Sequence, residues 1–384
     1  MELYDRPASE LSLPALRPAE QRPATYEARK TYYDHPMVKV PQWRWYIPGY
    51  FWLGGIAGGA AMIGAVAHFL GGRGGRETAR HARYLTFVLA LICPILLILD
   101  LHRPERFFRM FRVFKLSSPL SVGTWFLTAF GMVSGALAIR QAADDDVIIR
   151  RKSVLGRLAR RFIPEGPLSV LHGLFGLGLG GYTGVLIAVT AVPLWAAGGV
   201  LLGPLFLATA LASGAAALVL LALAFGKREP DSMRIRESIE VVETVGAVSQ
   251  LAVVAAREAV VTKHINRPLS RGRWGLVYRV GAVGGGMATP LALRLVARLL
   301  GPRAARILSG VAATLTLLGA LAERFAFIEA GKVSAADPIA YQDLTAGALG
   351  EARPTPREQA LNAPKEEAFR PRIAASDTLT GTAE

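Results

Sequence analysis

The hydrophobic residues of this chain gather in eight blocks, each near the length that a membrane-spanning helix needs. About 20 helical residues cross the ~30 Å hydrocarbon core of a bilayer, where only helices and closed barrels satisfy their own backbone. The blocks cover residues 49–71, 81–100, 120–140, 167–190, 199–225, 240–261, 274–299 and 304–328. This pattern predicts an all-α integral membrane protein, folded as a bundle of about eight transmembrane helices.

Glycine is abundant, with 40 glycines in 384 residues, and many of them lie inside the apolar blocks. Small residues let membrane helices approach closely, so the runs 55–59 and 173–181 predict helix–helix contacts. The second run also contains the Gly-x-Gly-x-x-Gly pattern of dinucleotide-binding folds. That pattern requires a preceding strand, and this run is wholly apolar, so we interpret it as a packing surface.

The chain has a net charge of +15 and a single cysteine, Cys93, in the second block. Its basic residues are scattered among the loops, which suits an anionic membrane surface and argues against nucleic-acid binding. They divide almost evenly between the two sides of the bundle, so the positive-inside rule leaves the orientation open. One thiol cannot hold an iron–sulfur cluster, which takes about four cysteines. We therefore expect no metal in this chain, and any cluster must belong to a partner.

Polar segments flank the predicted membrane domain, which spans residues 45–334. Residues 1–44 lack the apolar core of a signal peptide and predict an arm that lies on a partner or on the membrane surface. Aromatic residues crowd the start of the first span, and we interpret them as an interfacial belt. They are Trp43, Trp45, Tyr46, Tyr50 and Trp52. Residues 335–384 hold five prolines and no apolar block, and predict a disordered or partner-bound tail.

The loop at 141–166 is the one sizeable insert between the predicted spans. It contains three consecutive aspartates at 144–146. They lack the spaced ligands and the glycine turn of calcium loops, so we interpret them as a solvated charge run. A short amphipathic surface helix is predicted over 150–162.

Ionisable residues crowd the end of the second span, directly after a run without charge at 84–99. Such groups are costly in a membrane unless they are paired or functional. They could form a mutual salt-bridge knot, or they could exchange protons and bind an anionic headgroup. They are Asp100, His102, Arg103, Glu105 and Arg106. Tyr182, about two-thirds along the fourth span, runs toward the same side, so we predict that it and this cluster share one half of the bilayer.

Four carboxylates lie within the later spans: Glu240, Glu243, Glu258 and Glu323. They could line a proton route, or they could pair with arginines at the ends of neighbouring helices.

Histidines raise the question of a b-type haem, which needs two facing imidazoles inside the membrane. His68 and His172 lie inside probable spans but at the same side, which favours ordinary boundary histidines.

Several motifs together resemble the NrfD/PsrC family (polysulfide reductase NrfD-like) of integral membrane, quinone-reactive subunits. The matching segments are 52–60, 100–107 with Met110, Arg112, Val113 and Phe114, 118–125, 181–184, 193–195, 204–214, 323–324, 331–334 and 337–338. The resemblance covers roughly residues 45–338, and its specific part lies in 100–125 and 181–214. His102 stands where relatives often have glycine, and the two terminal segments have no counterpart.

The resemblance implies a subunit without activity alone, in a multi-subunit oxidoreductase of the bacterial inner membrane. By analogy with the family, quinone or menaquinone would bind near Asp100 and Tyr182, with His102, Arg103, Glu105 and Arg106 nearby. The partner would be a ferredoxin-like subunit carrying [4Fe–4S] clusters, accompanied in some relatives by a molybdopterin enzyme or another respiratory subunit. Proton transfer would accompany electron exchange. A secondary transporter and a purely structural membrane anchor of a redox complex stay open as alternatives.

Overall fold

The computed structural model describes residues 38–112, 114–147, 149–226 and 230–348. In these ranges it contains no strand, and eight of its helices are long and apolar enough to cross a membrane. They are α1 (Tyr46–Leu70), α2 (Gly72–Leu99), α3 (Pro119–Asp145), α4 (Glu165–Ala188), α5 (Pro193–Phe225), α6 (Pro230–Val260), α7 (Gly272–Ala297) and α8 (Pro302–Ala335). The predicted all-α membrane bundle and its eight spans are confirmed.

Successive spans run in opposite directions, which defines two membrane faces. The odd-numbered helices begin at one face, which we call face A, and the even-numbered helices begin at the other, face B. Asp100, directly after α2, therefore lies at face A. The ends of α3 and α5 and the starts of α4 and α6 lie at face B.

The eight helices form two rings of four. α1 and α3 each pack against α2 and α4, which closes the first bundle. α5 and α7 each pack against α6 and α8, which closes the second bundle. α1 also packs against α5 and α8, so it lies at the centre of the molecule and joins the two bundles.

Glycines of α1 make its close packing possible. A β-carbon on Gly58 would overlap the backbone of Gly176 and Gly180 in α4. On Gly59 it would overlap the backbone of Ala210 in α5 and approach Gly214. The two glycine runs therefore hold helices at backbone contact, as the sequence predicted.

The central place of α1 corrects the predicted aromatic belt at Trp43, Tyr50 and Trp52. Trp45 is exposed, at 57%, but Tyr50 is buried at 3%. Trp43 stacks on Trp195 with ring centroids 5.4 Å apart, and Trp52 Nε1 donates to a carbonyl of α8 at 2.9 Å. These rings pack inward because α1 is surrounded by both bundles.

Two spans are irregular. α5 begins as a short helix, Pro193–Gly198, and narrows to a 3-10 turn over Gly199–Leu201, where Gly199 has a positive φ of 46°. α7 widens into a π-helix over Val277–Ala288. Such π segments are rare and are found often at functional sites.

Surface elements connect the spans. A 3-10 helix, Pro104–Arg112, follows α2, and the predicted amphipathic helix is present as Val154–Phe162. The aspartates before it are less solvated than predicted, because Asp145 Oδ2 accepts hydrogen bonds from Arg80 Nε and Tyr84 Oη, both at 2.7 Å.

The two predicted flanking segments lie largely outside the described residues, which leave out 1–37 and 349–384. The first part of the predicted tail is helical, over Pro338–Ala348. Ala340 in this helix is only 1% exposed and belongs to the hydrophobic core.

Candidate functional site

Asp100 closes α2 and contacts the segment that leads into α1. Its Oδ1 accepts a hydrogen bond from the backbone N–H of Arg44 at 3.1 Å. Because Arg44 lies next to the start of α1, the carboxylate sits at the positive end of that helix dipole. Asp100 thus has a structural role through one carboxylate oxygen. Its second oxygen makes no described hydrogen bond and is available for proton exchange.

A groove of about 490 Å³ opens beside Asp100. Its lining residues are Gln42, Arg44, Leu99, Asp100, Leu101 and His102. His102 therefore lies at the groove, whereas Arg103, directly before the following 3-10 helix, and Glu105 and Arg106 on that helix are exposed. Glu105 lies 3.9 Å from Arg106, and both side chains are about half exposed or more. A mutual salt-bridge knot among the five residues is not formed, because Asp100 pairs with a backbone amide instead.

Tyr182 of α4 reaches the start of α3. Its hydroxyl donates a hydrogen bond to the carbonyl oxygen of Pro119, and a β-carbon on Gly123 would overlap the phenol. Ser118 caps α3 through its Oγ, which fixes the backbone at this contact. Tyr182 itself is only half-buried, and Val185, one turn later, is 49% exposed. The phenol therefore lies near the lipid-facing surface.

Asp100 and Tyr182 lie in the same half of the bilayer. α2 and α4 both run toward face A, and Tyr182 precedes the end of α4 by about two turns, or ~9 Å. No contact joins the two side chains directly among the described residues. They border neighbouring clefts of the first bundle, with Asp100 beside α1 and Tyr182 beside α3.

A second phenol near this site was missed by the sequence reasoning, which placed Tyr50 in an interfacial belt. Tyr50 of α1 is buried, in the neighbourhood of Cys93 of α2 and Tyr182 of α4. The sequence signal that could have indicated its burial is its position, one turn inside a span that is rich in glycine. Tyr50 thus provides a second buried phenol in the neighbourhood of Tyr182.

The carboxylates of α6 form a network with Arg294 near face B. Arg294 Nη2 pairs with Glu243 Oε2, and its Nη1 lies 3.4 Å from Glu240 Oε2. Thr316 Oγ1 of α8 donates to Glu243 Oε1 at 2.8 Å. Glu243 is 1% exposed, so its charge is compensated inside the protein. The predicted pairing with arginines of neighbouring helices is confirmed here.

This network opens to face B through a cavity of about 390 Å³. Arg236, Glu240 and Arg294 line it together with Ser309 of α8. Arg236 Nε lies 3.4 Å from Glu240 Oε1. Charged groups thus continue from the membrane face to the buried Glu243.

Glu323 lies deeper, toward face A, and is fully buried. Its Oε2 accepts a hydrogen bond from Thr209 Oγ1 at 2.8 Å and lies 3.4 Å from Arg324 Nη1. The Gln250 side chain also hydrogen-bonds this carboxylate. Arg324 stacks over Phe206, 3.6 Å from the ring centroid. Polar groups of α5, α6 and α8 therefore converge on one carboxylate.

The Glu323–Arg324 pair lies where the two bundles meet. A β-carbon on Gly55 of α1 would lie 3.9 Å from Arg324 Nη2. α1 belongs to the first bundle and carries Tyr50 about one turn earlier. The buried ion pair is therefore close to the helix that borders the Asp100 groove.

The two carboxylate sites belong to one polar seam along the axis of the second bundle. Successive polar residues of α6 are seven positions apart, and seven residues make about two helical turns on one face. Those of α8 have the same spacing and meet them in register at Glu243–Thr316 and Gln250–Glu323. The α6 members are Arg236, Glu243, Gln250 and Arg257, and the α8 members are Ser309, Thr316 and Glu323. Glu243 and Glu323, two of the four carboxylates predicted from the sequence, belong to this repeat, whereas Glu240 and Glu258 lie outside it.

Arg257 continues the seam toward face A. It is fully buried, lies over the Phe327 ring at 5.2 Å, and donates from Nη1 to Asn266 Oδ1 at 2.8 Å. Tyr278 of the π-helix packs edge-on against the same ring at 5.5 Å and interacts with Glu323 and Arg257. Glu258, in contrast, is exposed beside Arg257.

Several buried atoms of the seam make no hydrogen bond within the described part of the chain. They are Tyr278 Oη, Glu323 Oε1, Arg257 Nε, and Arg324 Nε and Nη1. Buried polar atoms almost always have partners, and bound water commonly supplies them. Arg257 and Tyr278 both contact the Phe327 ring, and bound water would satisfy the atoms that lack hydrogen bonds in this deep part of the seam.

The histidines inside the spans have ordinary partners. His172 is buried, 3.0 Å from Ser134 Oγ, and stacks on Phe130. His68 lies 3.2 Å from Arg83. The described residues contain no group of three or more His, Cys, Asp or Glu that could hold a metal ion.

Two bundles joined at a central glycine-rich helix, with ionisable residues in the membrane, define a multi-pass helical membrane protein with an intramembrane polar site. Residues 36–336 match the family model "Polysulphide reductase, NrfD", and the chain belongs to this family. It is thus a membrane subunit of a redox complex. No curated protein matches the chain.

Proposed function

We propose that this chain is the quinone-reactive subunit of a bacterial inner-membrane oxidoreductase and exchanges electrons with an iron–sulfur partner. Family membership supports a redox complex. The observation that carries the quinone assignment is the placement of Tyr182, a half-buried phenol anchored at Pro119 near the lipid-facing surface. A lipid-soluble substrate would enter laterally there and meet a hydrogen-bonding group inside an apolar wall.

The residues at face A fit a quinone headgroup, which has two carbonyl oxygens that must be held and protonated. The Tyr182 hydroxyl, which donates to Pro119, would accept a hydrogen bond from one quinol hydroxyl, and a basic or imidazole group at His102 or Arg103 would bind the other oxygen. Asp100 would exchange the proton with bulk water through its groove. Glu105 and Arg106 lie further out, at the exposed edge of this site. The partner's [4Fe–4S] clusters, with a molybdopterin or other respiratory subunit beyond them, would carry the electrons.

Proton transfer would extend along the polar seam of the second bundle. Glu240 and Glu243 would take up or release protons at face B, and Glu323 would connect them to the first bundle. Glu258, exposed beside Arg257, would be the end of the route at face A. The buried atoms without partners support this proposal, because bound waters at those atoms would link groups that do not touch. Between Glu243 and Glu323 the seam advances about 10 Å, an interval that water must bridge.

The quinone assignment is tested with Tyr182→Phe in the complex purified with its partners. We expect quinol-coupled turnover to fall about tenfold or more, because a hydrogen bond to the headgroup is lost. Turnover with a soluble electron carrier that reacts at the partner's clusters should be unchanged. Unchanged quinol turnover would favour a structural anchor. Uptake of a solute without electron transfer would favour a transporter.

The proton route is tested separately with Glu323→Gln in liposomes. Gln keeps the shape and the hydrogen bond from Thr209 but cannot carry the proton. We expect the number of protons moved per electron to fall while quinol turnover persists. The matched control is Glu329→Gln on the same helix, where Glu329 pairs with Lys332 outside the seam. An unaltered proton-to-electron ratio in Glu323→Gln would exclude the seam as the route.

A further inference from the structure

The segment after α2 repeats every three residues. Residues 106–115 read Arg-Phe-Phe-Arg-Met-Phe-Arg-Val-Phe-Lys, a basic residue followed by two apolar ones. The structure folds Pro104–Arg112 as a 3-10 helix, which has three residues per turn, so positions three apart align on one face. A 3-10 helix of nine residues is unusually long, and here its turn matches the period of the sequence.

This match separates the segment into ridges of opposite character. One ridge is basic and is formed by Arg106, Arg109 and Arg112, with Arg103 and Lys115 at its ends. The next ridge is aromatic and is formed by Phe108, Phe111 and Phe114, which are 53%, 39% and 57% exposed. Within the described residues, Glu105 is the acidic partner of this basic ridge, at 3.9 Å from Arg106. The ridge therefore carries several uncompensated positive charges.

The segment is held at the level of the membrane boundary. Phe111 and Phe114 both meet Trp125 of α3 edge-on, at 5.9 and 6.2 Å. Thr124 Oγ1 lies 4.0 Å from the sulfur of Met110. Trp125 and Leu120 are themselves exposed, at 37% and 60%, on the outer side of α3. The aromatic ridge is thus continuous with the lipid-facing surface of a span.

We propose that this segment, residues 106–112 and 114–116, is a binding surface for anionic phospholipid at face A. The phenylalanine ridge would lie among the upper acyl chains, and the arginine ridge would bind lipid phosphates through charge-assisted hydrogen bonds. Lipid is favoured over an acidic protein because exposed phenylalanines flank the charges and continue the lipid-facing surface of α3. The site is independent of the quinone proposal and of the orientation of the chain.

The depth of this segment in the membrane is measured with spin labels. Each label is attached to one introduced cysteine, in the variants Phe111→Cys and Arg109→Cys. Cys93 is buried and is removed by Cys93→Ala, so each full-length chain carries one label. Measurements are made in native membranes, where partners are present, and in liposomes. We expect the label at 111 to be relaxed by oxygen and shielded from a nickel chelate, and the label at 109 to show the reverse. A label at 111 that is shielded from both reagents in native membranes would show that a protein covers the segment and would overturn the proposal.

Charge selectivity is measured by retention of phosphatidylglycerol against phosphatidylcholine on the full chain in detergent. Arg109→Gln with Arg112→Gln should lower phosphatidylglycerol binding about twenty-fivefold, because each surface arginine contributes about a factor of five. Lys263→Gln with Arg271→Gln removes the same charge from another exposed loop at face A and should have little effect. An equal loss in both pairs, or none in the first, would refute a site at this segment.

Discussion

Gly123 of α3 lies directly against the phenol of Tyr182 in α4, so that a β-carbon on residue 123 would overlap the ring and its hydroxyl. The two residues belong to separate sequence motifs, yet one makes room for the other. The same hydroxyl donates to Pro119, one turn before Gly123 on α3. The position of the phenol is therefore set by α3 rather than by its own helix.

Gly123→Ala is expected to displace Tyr182 without removing it. The added methyl group forces the ring away from Pro119, so quinol-coupled turnover should fall about tenfold, as for loss of one hydrogen bond to the headgroup. Activity with purified complex and a quinol analogue measures this. The matched control is Gly131→Ala on the same helix, where a β-carbon meets nothing within 4 Å. Equal activities of the two variants would contradict the coupling.

Substitutions at Asp100 should separate its structural role at the Arg44 amide from its role in proton exchange. Asp100→Asn keeps an oxygen that can accept from the Arg44 amide but cannot exchange a proton, whereas Asp100→Ala loses both. We expect both variants to lose quinol turnover by about a hundredfold, the lower range for general acid–base groups. Only Asp100→Ala should also lose stability, by about 1 kcal/mol, as for a lost helix cap. Thermal unfolding in detergent distinguishes them, and full turnover in Asp100→Asn would remove the proton role.

Glu243 and Arg294 should be strongly coupled in stability. Removing one partner of a buried ion pair leaves an uncompensated charge and costs about 3–5 kcal/mol. Glu243→Gln combined with Arg294→Leu should therefore cost less than the sum of the single changes, as a double-mutant cycle in unfolding titrations would show. The pair Glu329–Lys332, whose side chains are 25% and 21% exposed, serves as control, with an expected coupling below about 1 kcal/mol. Additive effects at Glu243 and Arg294 would argue against their contact.

Gly59→Ala should weaken the packing of α1 against α5, which connects the two bundles. The methyl group would overlap the carbonyl of Ala210, and overpacking of this kind costs about 1–3 kcal/mol. The melting temperature in detergent should fall accordingly. Gly166→Ala, in the first turn of α4, meets nothing within 4 Å and should leave it unchanged. A melting temperature unaffected by Gly59→Ala would mean that α1 and α5 are further apart than described.

Some features could be predicted from the sequence because they depend on neighbouring residues alone. The eight spans follow from local hydropathy, and the surface helix Val154–Phe162 from its pattern of charge and apolar residues. The helix-packing role of the glycine runs was also recognisable. In each case the physical cause can be recognised from one segment alone. Apolar side chains favour transfer out of water, and small residues allow another helix to approach closely.

Other features were decided by the tertiary structure. Tyr50 was predicted at an interface but is buried, because α1 became the helix shared by both bundles. Glu243 pairs with Arg294, 51 positions away, and Glu323 with Thr209, 114 positions away. The seven-residue repeat of α6 was present in the sequence throughout. Its role is visible only in the tertiary structure, where α8 places Thr316 and Glu323 opposite it. The energetic cost of a polar side chain in a membrane depends on the partner that packing provides.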